Sequence, residues 1–128
     1  MHNNNFIHRD LKPENIMLGL ADKSHTIHLI DFGLSRSFKN PVNGKHIPFK
    51  KNKNLVGTCR FVSINAHKGY ELSRRDDLIT LGYIIINLFK GGLPWQHIDV
   101  SKPSANYRGL GRYKAKVTNA SLCSQCPR

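Results

Sequence analysis

Acidic residues are scarce in this chain. Eight Asp and Glu stand against 20 Lys and Arg in 128 residues, giving a net charge of +12 and a pI near 10.0. A balance that far from zero excludes a neutral, inert surface. It points to an anionic partner, whether nucleic acid, lipid headgroups, phosphates or acidic protein. Cysteine is scarce too. Three scattered residues exclude a disulfide scaffold and suit a reducing compartment. Long apolar runs are lacking: the longest, 78–89, is about half of the roughly 20 residues that cross a bilayer. No basic-then-apolar leader opens the chain. A cytoplasmic or nuclear location without membrane association is therefore expected. No low-complexity tract or internal repeat is present. With 39% hydrophobic residues, the chain can build the modest core of one domain.

The few carboxylates are not spread evenly. None occurs between Asp31 and Glu71, a stretch holding eight basic residues from Arg36 to Lys68, and none follows Asp99. The acids gather instead between Asp10 and Asp31 and at Asp76-Asp77, which suggests chemistry more than surface decoration. Residues 1–6 read as a helix end or a loop. The apolar runs 15–18 and 26–30, joined through Asp22-Lys23-Ser24, predict a β-hairpin. Residues 34–57, with Pro41, Gly44, Pro48 and many lysines, predict one long loop. The strongest helix signal covers Arg74 to Lys90. Ser73 and Asp76 form a capping-box pattern, and Gly91-Gly92 and Pro94 stop the helix. Its stripe Leu78, Leu81, Ile84, Ile85 and Leu88 is flanked by Ile79, Tyr83, Ile86 and Phe89. A helix apolar nearly all round is expected to be buried. The tail from Ser101 has too little periodicity for an assignment.

The decisive stretch is His8-Arg9-Asp10-Leu11-Lys12-Pro13-Glu14-Asn15, followed after a strand-like run by Asp31-Phe32-Gly33. The octapeptide matches the protein-kinase catalytic loop at every specified position, and the tripeptide sits at the spacing kinases use. The order of the two, with a hairpin between them, makes the match specific where either tripeptide alone would be weak. Phosphoryl transfer is mostly positioning and charge neutralisation. Asp10 would orient the acceptor hydroxyl and take its proton. Lys12 would stabilise charge on the moving phosphoryl group. Asn15 and Asp31 would offer oxygen ligands to Mg²⁺. Lys12, two places after Asp10, suits the serine/threonine class.

Further stretches narrow the likeness: Phe6-Ile7, Asn52-Lys53-Asn54-Leu55, Gly57-Thr58-Cys59-Arg60-Phe61-Val62-Ser63-Ile64-Asn65, Ser73-Arg74-Arg75-Asp76-Asp77 and Leu93-Pro94-Trp95-Gln96. Together they resemble the casein kinase 1 family of serine/threonine protein kinases, in which Ser-Ile-Asn stands where most kinases have Ala-Pro-Glu. The resemblance is dense from Phe6 to Gln96 and thinner beyond. It implies an α+β fold: a fragment of the kinase large, C-terminal lobe, mainly helical, with a short β-hairpin carrying the catalytic loop and DFG. It implies ATP and Mg²⁺ as cofactors, and acidic or phosphorylated protein substrates.

The resemblance also implies roles residue by residue. Met17 corresponds to the apolar floor under adenine, and Ile30 to the residue before the metal-binding aspartate; plain core packing would suit both equally. Thr58 corresponds to the threonine bonded to the catalytic aspartate and lysine. Asp77 supports the catalytic-loop backbone around His8 and Arg9. Arg60 corresponds to an arginine of an anion pocket, or is simply a solvated charge. Asn106 stands where the family pocket has a lysine, which implies a weaker preference for primed substrates. The lysine-rich loop is either a solvated face or a docking surface for acidic peptides. Its lack of interleaved aromatics argues against nucleic acid. Cys123 and Cys126 form one C-x-x-C pair, which lacks the four ligands of a structural zinc site.

The chain holds no Gly-x-Gly-x-x-Gly, and only seven residues precede His8. Residues 1–128 are thus expected to form a partial protein kinase domain, without the small lobe and without the end of the large lobe. Such a chain is expected to be inactive by itself and to act, failing catalysis, only as a basic substrate-binding or regulatory piece.

Overall fold

The computed structural model describes residues 1–98 and 103–127, the side chains of 103–106 excepted. The chain opens on a 3₁₀ turn, His2–Asn4, ended by Asn5 in the left-handed region at φ 64°. Strand β1 (Phe6–Ile7) follows and leads straight into the catalytic-loop sequence. A second 3₁₀ turn, Pro13–Asn15, begins on a proline, whose missing N–H costs nothing at that position. Strands β2 (Ile16–Leu18) and β3 (Ile27–Leu29) then pair antiparallel, with Ile16 opposite Leu29 and Leu18 opposite Ile27. The predicted hairpin is present, with a 3₁₀ turn at Ala21–Lys23 in its connection.

The segment 34–57 is not the single loop its prolines and lysines suggest. Strand β4 (Arg36–Ser37) pairs antiparallel with β1, and Lys39 bridges to His46 beyond it. The anchor is Phe38, only 2% exposed and enclosed by the His2 and His46 rings and the Arg74 guanidinium, which lies 4.7 Å from the ring centroid. One buried aromatic thus closes a stretch whose composition is otherwise loop-like.

Helix α1 (Ile64–His67) is one turn, capped by Ser63, whose Oγ accepts from the Ala66 amide. Helix α2 (Arg74–Lys90) has the predicted bounds. Asp76 Oδ2 accepts from the Ser73 amide at 2.8 Å, and Gly91 ends the helix at φ 73°. Helices α3 (Pro103–Lys116) and α4 (Asn119–Leu122) organise the tail that periodicity left unassigned. The core gathers Leu11, Phe61, Ile84, Leu93, Trp95, Leu110 and Leu122. Trp95 is buried: its ring meets Tyr83 edge-on at 5.0 Å, and its Nε1 donates to the Arg60 carbonyl at 2.9 Å.

The expected all-round burial of α2 is not what the fold shows. Its buried residues are Asp76, Asp77, Thr80 and Ile84, whereas Leu78, Ile85, Leu88 and Phe89 are more than half exposed. The rotation of α2 is fixed by the two carboxylates, which must face the amides and hydroxyls they accept from. Of the apolar stripe only Ile84 turns inward with them, and Leu78, Ile85 and Leu88 are left open among the described residues. No described helix is long and apolar enough to cross a membrane.

Candidate active site

The site is built around a backbone strain that Asp77 holds in place. Arg9 sits at φ 69°, a region costly for any residue with a Cβ. Asp77, buried at the start of α2, accepts the His8 amide on Oδ2 at 2.8 Å and the Arg9 amide on Oδ1 at 3.0 Å. The His2 ring nitrogen Nε2 reaches Oδ2 as well, at 2.8 Å. Two main-chain donors on one carboxylate fix the bend of the loop.

His8 ties the loop to the metal-site candidate. Its Nδ1 accepts from the Asp10 amide at 3.3 Å, so the ring proton belongs on Nε2, which donates to the Ile30 carbonyl at 3.1 Å. Asp31 follows at φ 61°, with Oδ1 accepting from the Gly33 amide at 3.3 Å. A short polar residue tolerates that left-handed backbone better than a branched one would.

Asp10 is buried and doubly held. The amide and Oγ1 of Thr58 both donate to its Oδ1, at 2.8 and 2.7 Å, and Lys12 Nζ lies 3.3 Å from Oδ2. Burial pushes the Asp10 carboxyl up. The Thr58 hydroxyl, the Lys12 ammonium and the Thr58 amide together outweigh it and hold the group below its ordinary value. The carboxylate is therefore ionised at neutral pH. Thr58 arrives there because residue 57 is glycine: at φ 94°, an added Cβ would sit 2.3 Å from the Arg9 carbonyl oxygen. Thr58 has the implied bond to the aspartate, whereas the lysine is held by Asp10 itself.

Asn15 is buried, and its Nδ2 donates to the Asp10 carbonyl at 3.0 Å. That leaves its Oδ1 as an acceptor for a cation. It and the Asp31 carboxylate offer hard oxygen donors of the kind Mg²⁺ takes when phosphates and water supply the remaining ligands. The donor chemistry fits Mg²⁺. Met17 and Ile30 lie on the hairpin side and are 50% and 41% exposed, so simple core packing does not account for either.

Three basic residues converge where the sequence could not show it. Arg9, Arg36 and Lys53 line a cavity of about 120 Å³ together with Glu71. Glu71 pairs with Arg36 at 3.1 Å and Lys53 at 3.2 Å, so one acid faces three cations. Burial and then Arg36 push the Arg9 guanidinium down from its ordinary value. The signal lay in the basic run itself, but which members meet is a tertiary fact. Arg60 is exposed and does not line this cavity. The Asn106 side chain lies outside the described residues. Cys123 and Cys126 carry free thiols, and no group of three or more metal-binding side chains forms among the described residues.

A second carboxylate does more than cap its helix. Asp76 Oδ1 also accepts from Ser63 Oγ at 2.7 Å and Asn65 Nδ2 at 3.0 Å, which ties Ser63-Ile64-Asn65 to the start of α2.

An ionised carboxylate beside an ammonium group, next to an asparagine and aspartate suited to a divalent cation, is an arrangement fit for moving a phosphoryl group. A family model of the protein kinase domain matches residues 1–124. The chain belongs to the protein kinase domain family.

Proposed function

We propose that the site is the phosphoryl-transfer half of a serine/threonine protein kinase of casein kinase 1 type, located in the cytoplasm or nucleus. The observation that carries this reading is the state of Asp10: ionised, gripped by Thr58 and paired with Lys12. Asp10 orients the hydroxyl of a substrate serine or threonine and accepts its proton. Lys12 neutralises charge that grows on the transferred oxygens, an interaction worth most in the transition state. Asn15 and Asp31 would hold Mg²⁺, which with ATP supplies the activated γ-phosphoryl group. Met17 and Ile30 would meet adenine.

Acidic or phosphorylated substrates suit the charge. The Arg9, Arg36 and Lys53 cavity carries a local excess of cations, and arginine forks match phosphate and carboxylate oxygens. Arg60, exposed nearby in sequence, would extend that attraction.

By itself the chain transfers little or no phosphate. Half-exposed Met17 and Ile30 supply one wall for adenine, and no glycine-rich loop exists in the sequence to cover the phosphates. The same exposure favours a second reading, in which the chain only binds acidic partners. One assay separates them. The chain, alone and fused to a kinase small lobe, is given labelled ATP, Mg²⁺ and casein. Transfer by the fusion to serine and threonine but not tyrosine, abolished by Asp10→Asn, supports the kinase reading. A folded fusion that binds ATP yet transfers nothing leaves the binding reading.

A further inference from the structure

Helices α1 and α3 meet unusually closely. At Gly111 an added Cβ would lie 2.6 Å from the His67 Cβ, so the contact requires glycine on the α3 side. Beside that contact runs a groove of about 320 Å³. Ile64, His67, Gly111 and Ala115 line it together with Lys68, Arg108 and Arg112. None of these residues belongs to the Asp10 site.

The α3 contribution has a helical logic. Arg108, Gly111, Arg112 and Ala115 stand at i, i+3, i+4 and i+7, so two small residues and two cations share one face. Arginines four apart repel each other and weaken a helix unless an anion sits between them. Among the described residues, no ion pair engages Arg108, Arg112 or Lys68, and no acid lines the groove. Lys68 Nζ lies over the Tyr70 ring, 5.9 Å from its centroid. A mainly apolar groove lined by three cations that have no ion pair among the described residues is complementary to one kind of occupant.

We propose that this groove is a docking site for an acidic protein segment that seats one large aliphatic or aromatic side chain. The volume is at the low end of ligand sites and fits one such side chain, not an extended cofactor. Carboxylates flanking the anchor would meet Arg108, Arg112 and Lys68. The inference deepens the reading of this protein as one that acts on acidic proteins, by adding an anchoring point away from the phosphoryl-transfer residues. Binding energy from such a remote contact would raise the effective concentration of substrate at Asp10.

The test is fluorescence anisotropy with a labelled peptide of alternating aspartate and glutamate around one central phenylalanine, at about 0.15 M salt, where long-range attraction is screened. Ala115 is exposed, so Ala115→Trp fills the groove without entering the core. The affinity should weaken roughly tenfold in Ala115→Trp, in the double variant Arg108→Glu with Arg112→Glu, and when the peptide phenylalanine becomes alanine. Arg36→Ala should weaken it less than these changes do, and thermal melts show that each variant is folded. Weakening by charge reversal alone, with Ala115→Trp and the anchor change silent, means diffuse attraction and overturns the proposal. So does equal weakening by Arg36→Ala, which places the peptide in the other cationic cavity, and so does the absence of any binding. Transfer by the small-lobe fusion to a peptide without phenylalanine tests the kinase reading separately. Docking lost with transfer intact removes only the groove; transfer lost with docking intact removes only the kinase.

Discussion

Lys114 donates from Nζ to the carbonyl oxygen of Cys59 at 2.8 Å, across 55 positions of sequence. A second bond, also 2.8 Å, goes to the Val62 carbonyl, and the ammonium lies within 5.4 Å of the Tyr83 and Trp95 ring centroids. The side chain is 2% exposed and has no carboxylate partner among the described residues. It thus pins both sides of the Arg60-Phe61 segment, just beyond the threonine that grips Asp10. The cost is a buried charge, and burial pushes the Lys114 ammonium down to about 7.

That depressed value makes stability depend on pH. Between about 7 and the ordinary 10.5, the unfolded chain binds a proton at Lys114 that the folded chain lacks, so stability rises with pH across this window. His67 adds a second rise from about 4 to 6.5, because burial and then Lys114 hold its ring neutral. Cys59 and Tyr83 oppose this above about 9 and 10, since burial pushes both groups up from 9.0 and 10.0. The melting temperature should therefore climb from pH 5 to pH 8 and fall again in strong alkali. Lys114→Met should flatten the climb above pH 7 and shrink the lower one only in part, because burial still holds His67 neutral without Lys114, as read by circular dichroism melts. An unchanged slope above pH 7 in that variant would show that Lys114 is not the titrating group.

Much of this was legible in the sequence, for reasons that differ by element. Helix α2 was readable because its stop and start signals are local: Ser73, Asp76 and Gly91 act through their own neighbours. The β2–β3 hairpin followed from two apolar runs with a polar connection. The grip of Asp77 on the loop came from likeness, not periodicity, since a carboxylate 69 positions from His8 has no local signature. What stayed hidden depends on tertiary convergence. The cationic cavity joins Arg9, Arg36 and Lys53, and nothing in the basic run singles out the last two. The open face of α2 was misjudged because hydropathy ranks its leucines above Asp76 and Asp77. Buried carboxylates with several donors decide the rotation of a helix more strongly than a leucine stripe does.

Asp77 gives the most direct stability test. Its carboxylate accepts the His8 and Arg9 amides and the His2 ring. Asp77→Ala leaves buried donors without acceptors and releases the strained Arg9 backbone, a loss of about 3 kcal/mol by urea denaturation. Asp77→Asn keeps one oxygen and should lose less. Equal losses in the two variants would mean that the bonds to the loop are not what Asp77 contributes.

The roles proposed for Lys12 and Asp31 separate by step. In the small-lobe fusion, Lys12→Ala removes a charge felt mainly in the transition state, so kcat should fall on the order of a hundredfold with little change in KM for ATP. Asp31→Asn weakens a cation ligand, so part of its loss should return at high Mg²⁺ concentration. Near-normal turnover of either variant at saturating ATP contradicts the role given to that residue.

Thr58 sets the ionisation of Asp10. Its amide and hydroxyl both donate to Oδ1, and Thr58→Val deletes the hydroxyl while keeping shape and the amide bond. Burial, which pushes the carboxyl up, then meets weaker opposition from the amide and Lys12 alone. The Asp10 carboxyl should titrate at higher pH in the variant, readable in the chain itself by carbon-13 NMR of the side-chain carboxyl. A group held below its ordinary value stabilises the fold above that value and loses the contribution as pH falls. Thr58→Val should therefore also soften the acid dependence of stability near the bottom of the carboxylate range. In the small-lobe fusion, the acid limb of kcat/KM should move in the same direction as the NMR titration. A carboxyl that shifts while the limb stays put would assign that limb to another group and leave Asp10 without the role of base.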